Sequence, residues 1–259
     1  MTPAPTAGTY DDAELARDLA TRAGHLLLQL RARMGYGDPD ALRAAGDQHS
    51  HEFLAAELAT HRPGDAVLSE EGADDLSRLD ADRLWIVDPL DGTSEFGETD
   101  RTDWAVHVAL WERAAGGLTA AAVALPARRT TLSTDGGFPP LPPVGTPPRI
   151  AMSRSRAPAF VVDVAEQVGA VPTPIGSAGM KAMAILLGEA DAYLHRGRMK
   201  EWDSAAPAAV AAAAGLHVSR LDGSPLTFNT EHRLTLDLLI CQPSLAEPLL
   251  AALARTGRD

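Results

Sequence analysis

The chain has 259 residues, enough for one large or two moderate domains, and carries a formal charge of −12 with 45% hydrophobic residues. That charge argues against a broadly basic surface for a nucleic acid polymer or anionic lipid, and a single cysteine, Cys241, excludes an internal disulfide. No apolar run approaches about 18 residues and the first dozen lack a basic, apolar leader, so a cytoplasmic protein with no membrane span is expected.

Residues 1–9 read as a disordered lead. From 11 to 34, Leu15, Leu19, Ala23, Leu26 and Leu30 recur at helical spacing, with Asp11, Asp12 and Glu14 at the start and Arg31 and Arg33 at the end. Gly35 to Pro39 stops this helix. A second periodic stretch runs through Phe53, Leu54 and Leu58, and Asp47 stands where its N-cap would fall. Pro63-Gly64-Asp65 then turns the chain into a short strand, 66–68, ending in Ser69-Glu70-Glu71-Gly72. Adjacent carboxylates repel, so Glu70 and Glu71 need either a cation beside them or a solvated loop. The acid-rich stretch 72–82 is expected to be a mobile surface loop.

Leu84-Trp85-Ile86-Val87 reads as a buried strand that stops abruptly at Asp88-Pro89-Leu90-Asp91-Gly92-Thr93-Ser94. Two acids around a proline can hold both carboxylates on one side of a rigid corner, which suits a hard divalent cation. Gly92 admits close approach of a ligand, and Thr93 and Ser94 offer N–H and hydroxyl donors to an anion. An ordinary Asp-Gly turn is the alternative. Residues 96–103 are expected to line the site entrance. Residues 104–111 and 118–125 read as adjacent strands, with His107 a satisfied sheet residue, and the proline-rich 136–148 as a linker.

The second half opens with a strand into Ser153-Arg154-Ser155-Arg156, a basic turn that could grip a second phosphate or simply be solvated. A helix follows at 158–168. Gly176-Ser177-Ala178-Gly179-Met180-Lys181 offers backbone donors and a lysine to phosphate, without P-loop spacing, which excludes a nucleoside triphosphatase. Residues 190–194 form a strand candidate. Arg196, Arg198 and Lys200 make a basic patch ahead of Glu201-Trp202-Asp203, where Asp203 would cap a helix over 204–214. A hairpin turn at 221–225, a strand at 237–241 and a helix at 245–254 complete the chain.

Trp85-Ile86-Val87-Asp88-Pro89-Leu90-Asp91-Gly92-Thr93 resembles the signature of the inositol monophosphatase superfamily of magnesium-dependent, lithium-sensitive phosphatases. Ser94-Glu95-Phe96 is similar to its 3'(2'),5'-bisphosphate nucleotidases (CysQ-like). Leu68-Ser69-Glu70-Glu71 and Glu201-Trp202-Asp203-Ser204-Ala205-Ala206 match in the same order. The resemblance implies an α/β fold, an alternating α-β-α-β-α sandwich of two subdomains with mixed sheets. Its metal-binding part would be 1–136, the proline-rich linker 137–148 and the substrate part 149–259. It implies two or three Mg²⁺ held by Glu70, Asp88, the Leu90 carbonyl, Asp91 and Asp203. The all-oxygen set, with no clustered Cys and His, fits a hard metal rather than zinc.

By the same resemblance Asp47 pairs with Thr93 to orient the attacking water, with Glu70 catalytic beside them. Gly92, Thr93, Ser94, Ser153, Arg154, Ser155, Gly176, Ser177 and Lys181 would hold the substrate. The implied reaction removes the 3'-phosphate of adenosine 3',5'-bisphosphate, or of its 5'-phosphosulfate analogue, in sulfate assimilation. The alternatives are an inositol-1-phosphate or fructose-1,6-bisphosphate phosphatase and, in another class, a non-catalytic sensor of metal and phosphorylated ligand. The expected partner is a phosphorylated small molecule, with a homodimer as the assembly to test.

Overall fold

Asp11 starts the first helix: its carboxylate accepts Glu14 N at 2.7 Å while Glu14 reaches back to Asp11 N, so α1 (Asp12–Met34) opens on a capping box. The computed structural model describes residues 11–154 and 158–256, so the expected lead at 1–9 lies outside the described residues. Asp38 caps α2 (Pro39–His61) through Ala41 N, with Pro39 in the first turn. Asp47 is therefore no N-cap but a mid-helix residue. The buried stripe of α2 is Leu42, Gly46, Ser50, Leu54 and Leu58, and its two small members hid the helix start from a hydrophobic pattern.

Five strands make the first sheet in the order β1 (Ala66–Ser69), β2 (Arg83–Asp91), β3 (Ala105–Glu112), β4 (Gly117–Leu125) and β5 (Thr130–Ser133). Only the β1–β2 pair is parallel. Along β2 the side chains alternate: Trp85 and Val87 pack with α1 and α2, while Leu84 and Ile86 face the middle of the molecule. The strand runs past the expected stop at Val87, and the register slips between Asp88 and Asp91.

The second sheet has the order β7 (Val171–Ile175), β6 (Arg149–Ser153), β8 (Ala192–Lys200), β10 (Leu234–Cys241) and β9 (His217–Ser219). Two helices, α5 (Ala178–Leu186) and α6 (Glu201–Ala213), lie between the sheets, and α4 (Ala159–Val168) and α7 (Ala246–Thr256) cover the far face. The layers are those expected, α-β-α-β-α. Small residues permit the close central packing: Ala105, Ala109 and Ala121 of the sheet meet a central layer containing Ala205, Ala206 and Ala211 of α6. Among the described residues no helix is long and apolar enough to cross a membrane.

Three local expectations are revised. β8 absorbs Arg196, Arg198 and Lys200, with Arg196 lying 4.4 Å over the Phe160 ring. α6 starts at Glu201, which makes Asp203 its third residue, accepting Lys200 N at 3.3 Å, rather than the cap of a later helix. The stretch 72–82 includes a 3₁₀ turn, Leu76–Asp80, anchored by the buried Arg78. That guanidinium meets Asp74 at 2.7 Å, Asn229 Oδ1 at 2.8 Å and the Thr230 carbonyl at 3.0 Å. Asn229 N and Thr230 N each donate at 2.8 Å to the fully buried Glu201, so this latch ties the segment after Glu70 to the start of α6.

Residues 137–148 carry no helix or strand, while Phe138 and Leu141 pack on the central core and Gly145 N donates to Asp191. Arg78→Ala takes the guanidinium from Asn229 and Thr230 and leaves Asp74 only its 3.4 Å contact with Arg233. It is expected to lower the unfolding free energy by roughly 3 kcal/mol. An unchanged denaturant midpoint would show the latch to be incidental.

Candidate active site

The slip in β2 makes the corner. Asp88 Oδ1 accepts Leu90 N at 3.0 Å, and Gly92 follows at φ +87°, where a Cβ would come within 2.8 Å of the Ser177 Cβ. The single turn α3 (Thr93–Phe96) then begins, and Thr93 Oγ1 lies 3.2 Å from Asp47 Oδ1 and 3.1 Å from the Leu90 carbonyl. The expected Asp47–Thr93 pair is thus in contact. It is delivered from the middle of α2.

Asp88, Asp91 and Asp203 each present a carboxylate oxygen within 4.8 Å of the other two. Asp88 and Asp91 come from β2 and Asp203 from α6, so the trio forms only when the first sheet meets the middle layer. Glu70, expected in the ligand set, stands outside this trio but close enough that its charge and those of Asp88 and Asp203 act on one another. Ser94, Ser177, Lys181, Asp91 and Asp203 line one cavity of about 510 Å³ together with Ser153, Arg154 and Gly176.

The start of α5 departs from expectation. Its free amides serve a protein carboxylate rather than a phosphate: Ala178 N donates to Asp91 Oδ1 at 3.1 Å and Gly179 N to Oδ2 at 2.6 Å. Gly176 N donates to Asp103 Oδ2 at 2.7 Å, and the Lys181 ammonium to the Gly176 carbonyl at 2.5 Å. A side chain thus fills the place the sequence assigned to substrate. Arg154, expected to grip a second phosphate, instead pairs with Glu98 at 2.6 Å and Glu95 at 3.2 Å. Ser155 lies outside the described residues.

Sequence reasoning missed Arg43, Tyr193, His195 and Met199 of the cavity wall, which no local motif marks. It undervalued His107, which is fully buried and reaches Asp91. Its strand parity was a usable signal, because in the β2–β3 register His107 is the direct partner of Asp88.

Like charge held close in a buried place raises carboxyl pKa values. Burial, then Asp91, Glu70 and Asp203, hold Asp88 well above the carboxylate range, and burial with Asp91 pushes Asp203 up to about 6. Glu70 is pushed up to about 7 by desolvation, Asp203, Glu71 and Asp47, and Asp47 to about 6 by burial and Glu71. Burial would also raise Asp91, but His107, Gly179 N and Lys181 hold it low. An all-carboxylate trio, two members buried and the third half-buried, under such repulsion fits a hard divalent cation.

The sequence profile of the inositol monophosphatase family matches residues 12–139 and 145–257. A 3'-phosphoadenosine 5'-phosphate phosphatase of Mycobacterium leprae is 48% identical over 258 residues, covering 93% of each chain. The protein of the same name from Mycobacterium bovis is 53% identical over 246 residues, covering 91% of each. Among solved structures, CysQ from Bacteroides thetaiotaomicron, described as a bacterial member of the inositol monophosphatase family, aligns with a TM-score of 0.77 at 25% identity. The alignment covers 92% of this chain and 99% of that one.

The raised acids set a pH dependence. Asp47 and Asp203, near 6, and Glu70, near 7, keep protons in the folded state that the unfolded chain has lost, so their stabilisation is present at low pH and fades as pH rises through those values. Asp91, held low, acts in the opposite sense only below its ordinary 3.8. The metal-free protein is therefore expected to melt at lower temperature at about pH 8 than at about pH 5, and added Mg²⁺ to raise the melting temperature more at the higher pH. A flat profile, or one unaltered in Asp203→Asn, would refute this origin.

Proposed function

We propose that this chain, which belongs to the inositol monophosphatase family, removes the 3'-phosphate of adenosine 3',5'-bisphosphate to give AMP and phosphate. The observation that carries the proposal is the aspartate trio, drawn from β2 and α6, beside a hydroxyl already paired with a carboxylate. Relatives named for this substrate at about half identity over nine-tenths of the chain support the choice of nucleotide. The wider role follows the same reading: magnesium as the cation, two or three per site, sensitivity to lithium, and cytoplasmic work in sulfate assimilation.

Phosphate monoesters resist attack because the incoming oxygen meets negative charge. Asp88, Asp91, Asp203, Glu70 and the Leu90 carbonyl would hold the cations. What these supply is positive charge against the phosphoryl oxygens and a lower pKa for water beside them. The protein's own part is positional. Thr93 gives its hydroxyl hydrogen to Asp47, which leaves oxygen lone pairs to accept from a water and fix its approach. Asp47, its pKa raised to about 6, is poised to take the proton relayed through Thr93. Water's oxygen joins phosphorus as the bond to the ribose 3'-oxygen breaks; that oxygen takes a proton from solvent water, and Asp47 afterwards returns to solvent the proton it accepted. Ser94 and Ser177 line the cavity where the ester would lie.

The cavity, about 510 Å³, has room for a nucleoside bisphosphate. Arg154 would meet the 5'-phosphate by exchanging its contacts to Glu95 and Glu98 for the new anion. Phosphate release from adenosine 3',5'-bisphosphate, inositol-1-phosphate and fructose-1,6-bisphosphate tests the assignment. The nucleotide is expected to give the highest kcat/KM, and its coming last would overturn the proposal. Asp91→Asn is expected to lower kcat by roughly a thousandfold. Retained turnover in that variant would remove Asp91 from the reaction, whereas a wild type that releases no phosphate with Mg²⁺ present would favour the sensor alternative.

A further inference from the structure

His107 stands at the centre of the site, and no step above uses it. Its place is fixed by the sheet: β3 lies beside β2 in a register that sets His107 across from Asp88, on the face that Leu84 and Ile86 turn toward the middle layer. The ring is fully buried. Nδ1 is 3.0 Å from the Trp202 carbonyl, an acceptor only, so this nitrogen carries the hydrogen and donates. That bond aims the opposite nitrogen, Nε2, at Asp91 Oδ2, 3.1 Å away, while Nδ1 itself lies 4.0 Å from Asp88 Oδ2. Among the described residues Nε2 makes no hydrogen bond, so its meeting with Asp91 Oδ2 is a close charge contact rather than a directed bond.

One ring therefore spans from Asp91, on the first sheet, to the carbonyl immediately before Asp203, at the start of α6. Lone pairs show what this does to Asp91. Its Oδ2 receives Gly179 N at 2.6 Å and faces His107 Nε2, whereas Oδ1 receives only Ala178 N at 3.1 Å. Position 179 is matched to the ring as well, since a Cβ there would sit 2.1 Å from Nε2. A histidine that merely filled space would not need an acceptor at one nitrogen and a carboxylate at the other.

We propose that His107 is a positioning residue that sets the spacing of Asp91 and Asp203 and keeps Asp91 Oδ2 turned into the protein, leaving Oδ1 to face a divalent cation. The inference rests on the metal-dependent reading above, but it concerns cation affinity and not the choice of substrate. Groups behind the ligands of a metal commonly govern affinity in this way, by orienting the donor atoms.

The test uses the full chain stripped of metal, with Mn²⁺ binding followed by electron paramagnetic resonance and thermal unfolding recorded alongside. His107→Leu removes both polar contacts and is expected to weaken Mn²⁺ binding about tenfold or more. It should raise the Mg²⁺ concentration for half-maximal turnover in parallel, with KM for adenosine 3',5'-bisphosphate within about twofold at saturating Mg²⁺. His107→Gln, whose amide extends toward Asp91, is expected to recover binding to within about threefold of the wild type.

A folded leucine variant that binds Mn²⁺ as the wild type does, or equal losses in the two variants, would overturn the proposal. If His107→Leu shows no cooperative unfolding, Gly179→Ala serves instead, because its methyl group displaces the ring: weakened Mn²⁺ binding supports the role and unchanged binding refutes it. A wild-type protein that binds no Mn²⁺ refutes the metal-dependent reading, and this inference with it. Normal Mn²⁺ binding without nucleotide hydrolysis overturns the substrate assignment alone.

Discussion

The structure is organised around a repulsion. Asp88, Asp91 and Asp203 each bring a carboxylate oxygen within 4.8 Å of the others, largely shielded from water. Several acids with raised pKa values in one place are unfavourable unless positive charge joins them. Their proximity can persist only because the surrounding fold is rigid. Stability spent on the site must be recovered elsewhere, and the three apolar clusters between the layers are where that happens.

That rigidity comes from small residues and long-range latches. Alanines on the inner face of the first sheet let α6 pack closely enough to bring Asp203 beside the β2 corner. Arg78 and Glu201 fasten the segment after Glu70 to the loop that precedes β10, and Asp103 fastens Gly176 and Ser177 to the first half. Asp91 receives the amides of α5 directly. Each latch crosses from one part of the chain to another, so the site's geometry is a property of the packed layers rather than of any loop.

Phosphate sites are often drawn as helix N-termini awaiting an anion. Here the N-terminus of α5 already has one, in the carboxylate of Asp91, and its role is to hold a candidate metal ligand in place. The same substitution of protein for substrate occurs at Arg154, which rests between Glu95 and Glu98. Both groups carry the chemistry expected of them. Only their partners differ, because a chain with an excess of acids offers internal anions before any ligand arrives.

Local chemistry made much of this legible. The Asp88-to-Thr93 corner, the first helix with acids at its start and the adjacent strands β3 and β4 follow from proline, glycine and apolar periodicity, which act over a few residues. The start of α2, hidden by Gly46 and Ser50, was not legible, because small buried residues carry no hydrophobic signal. Nor were the burial of Arg78, the occupation of α5 by Asp91 and the span of His107 from Asp91 to Trp202. Those contacts join residues from 87 to 152 positions apart, and no rule of local spacing reaches that far. The sequence by itself determined which groups could bind metal and phosphate. Tertiary packing decided which of them meet, since the distance between two side chains depends on how the layers stack and not on how the residues are spelled out along the chain.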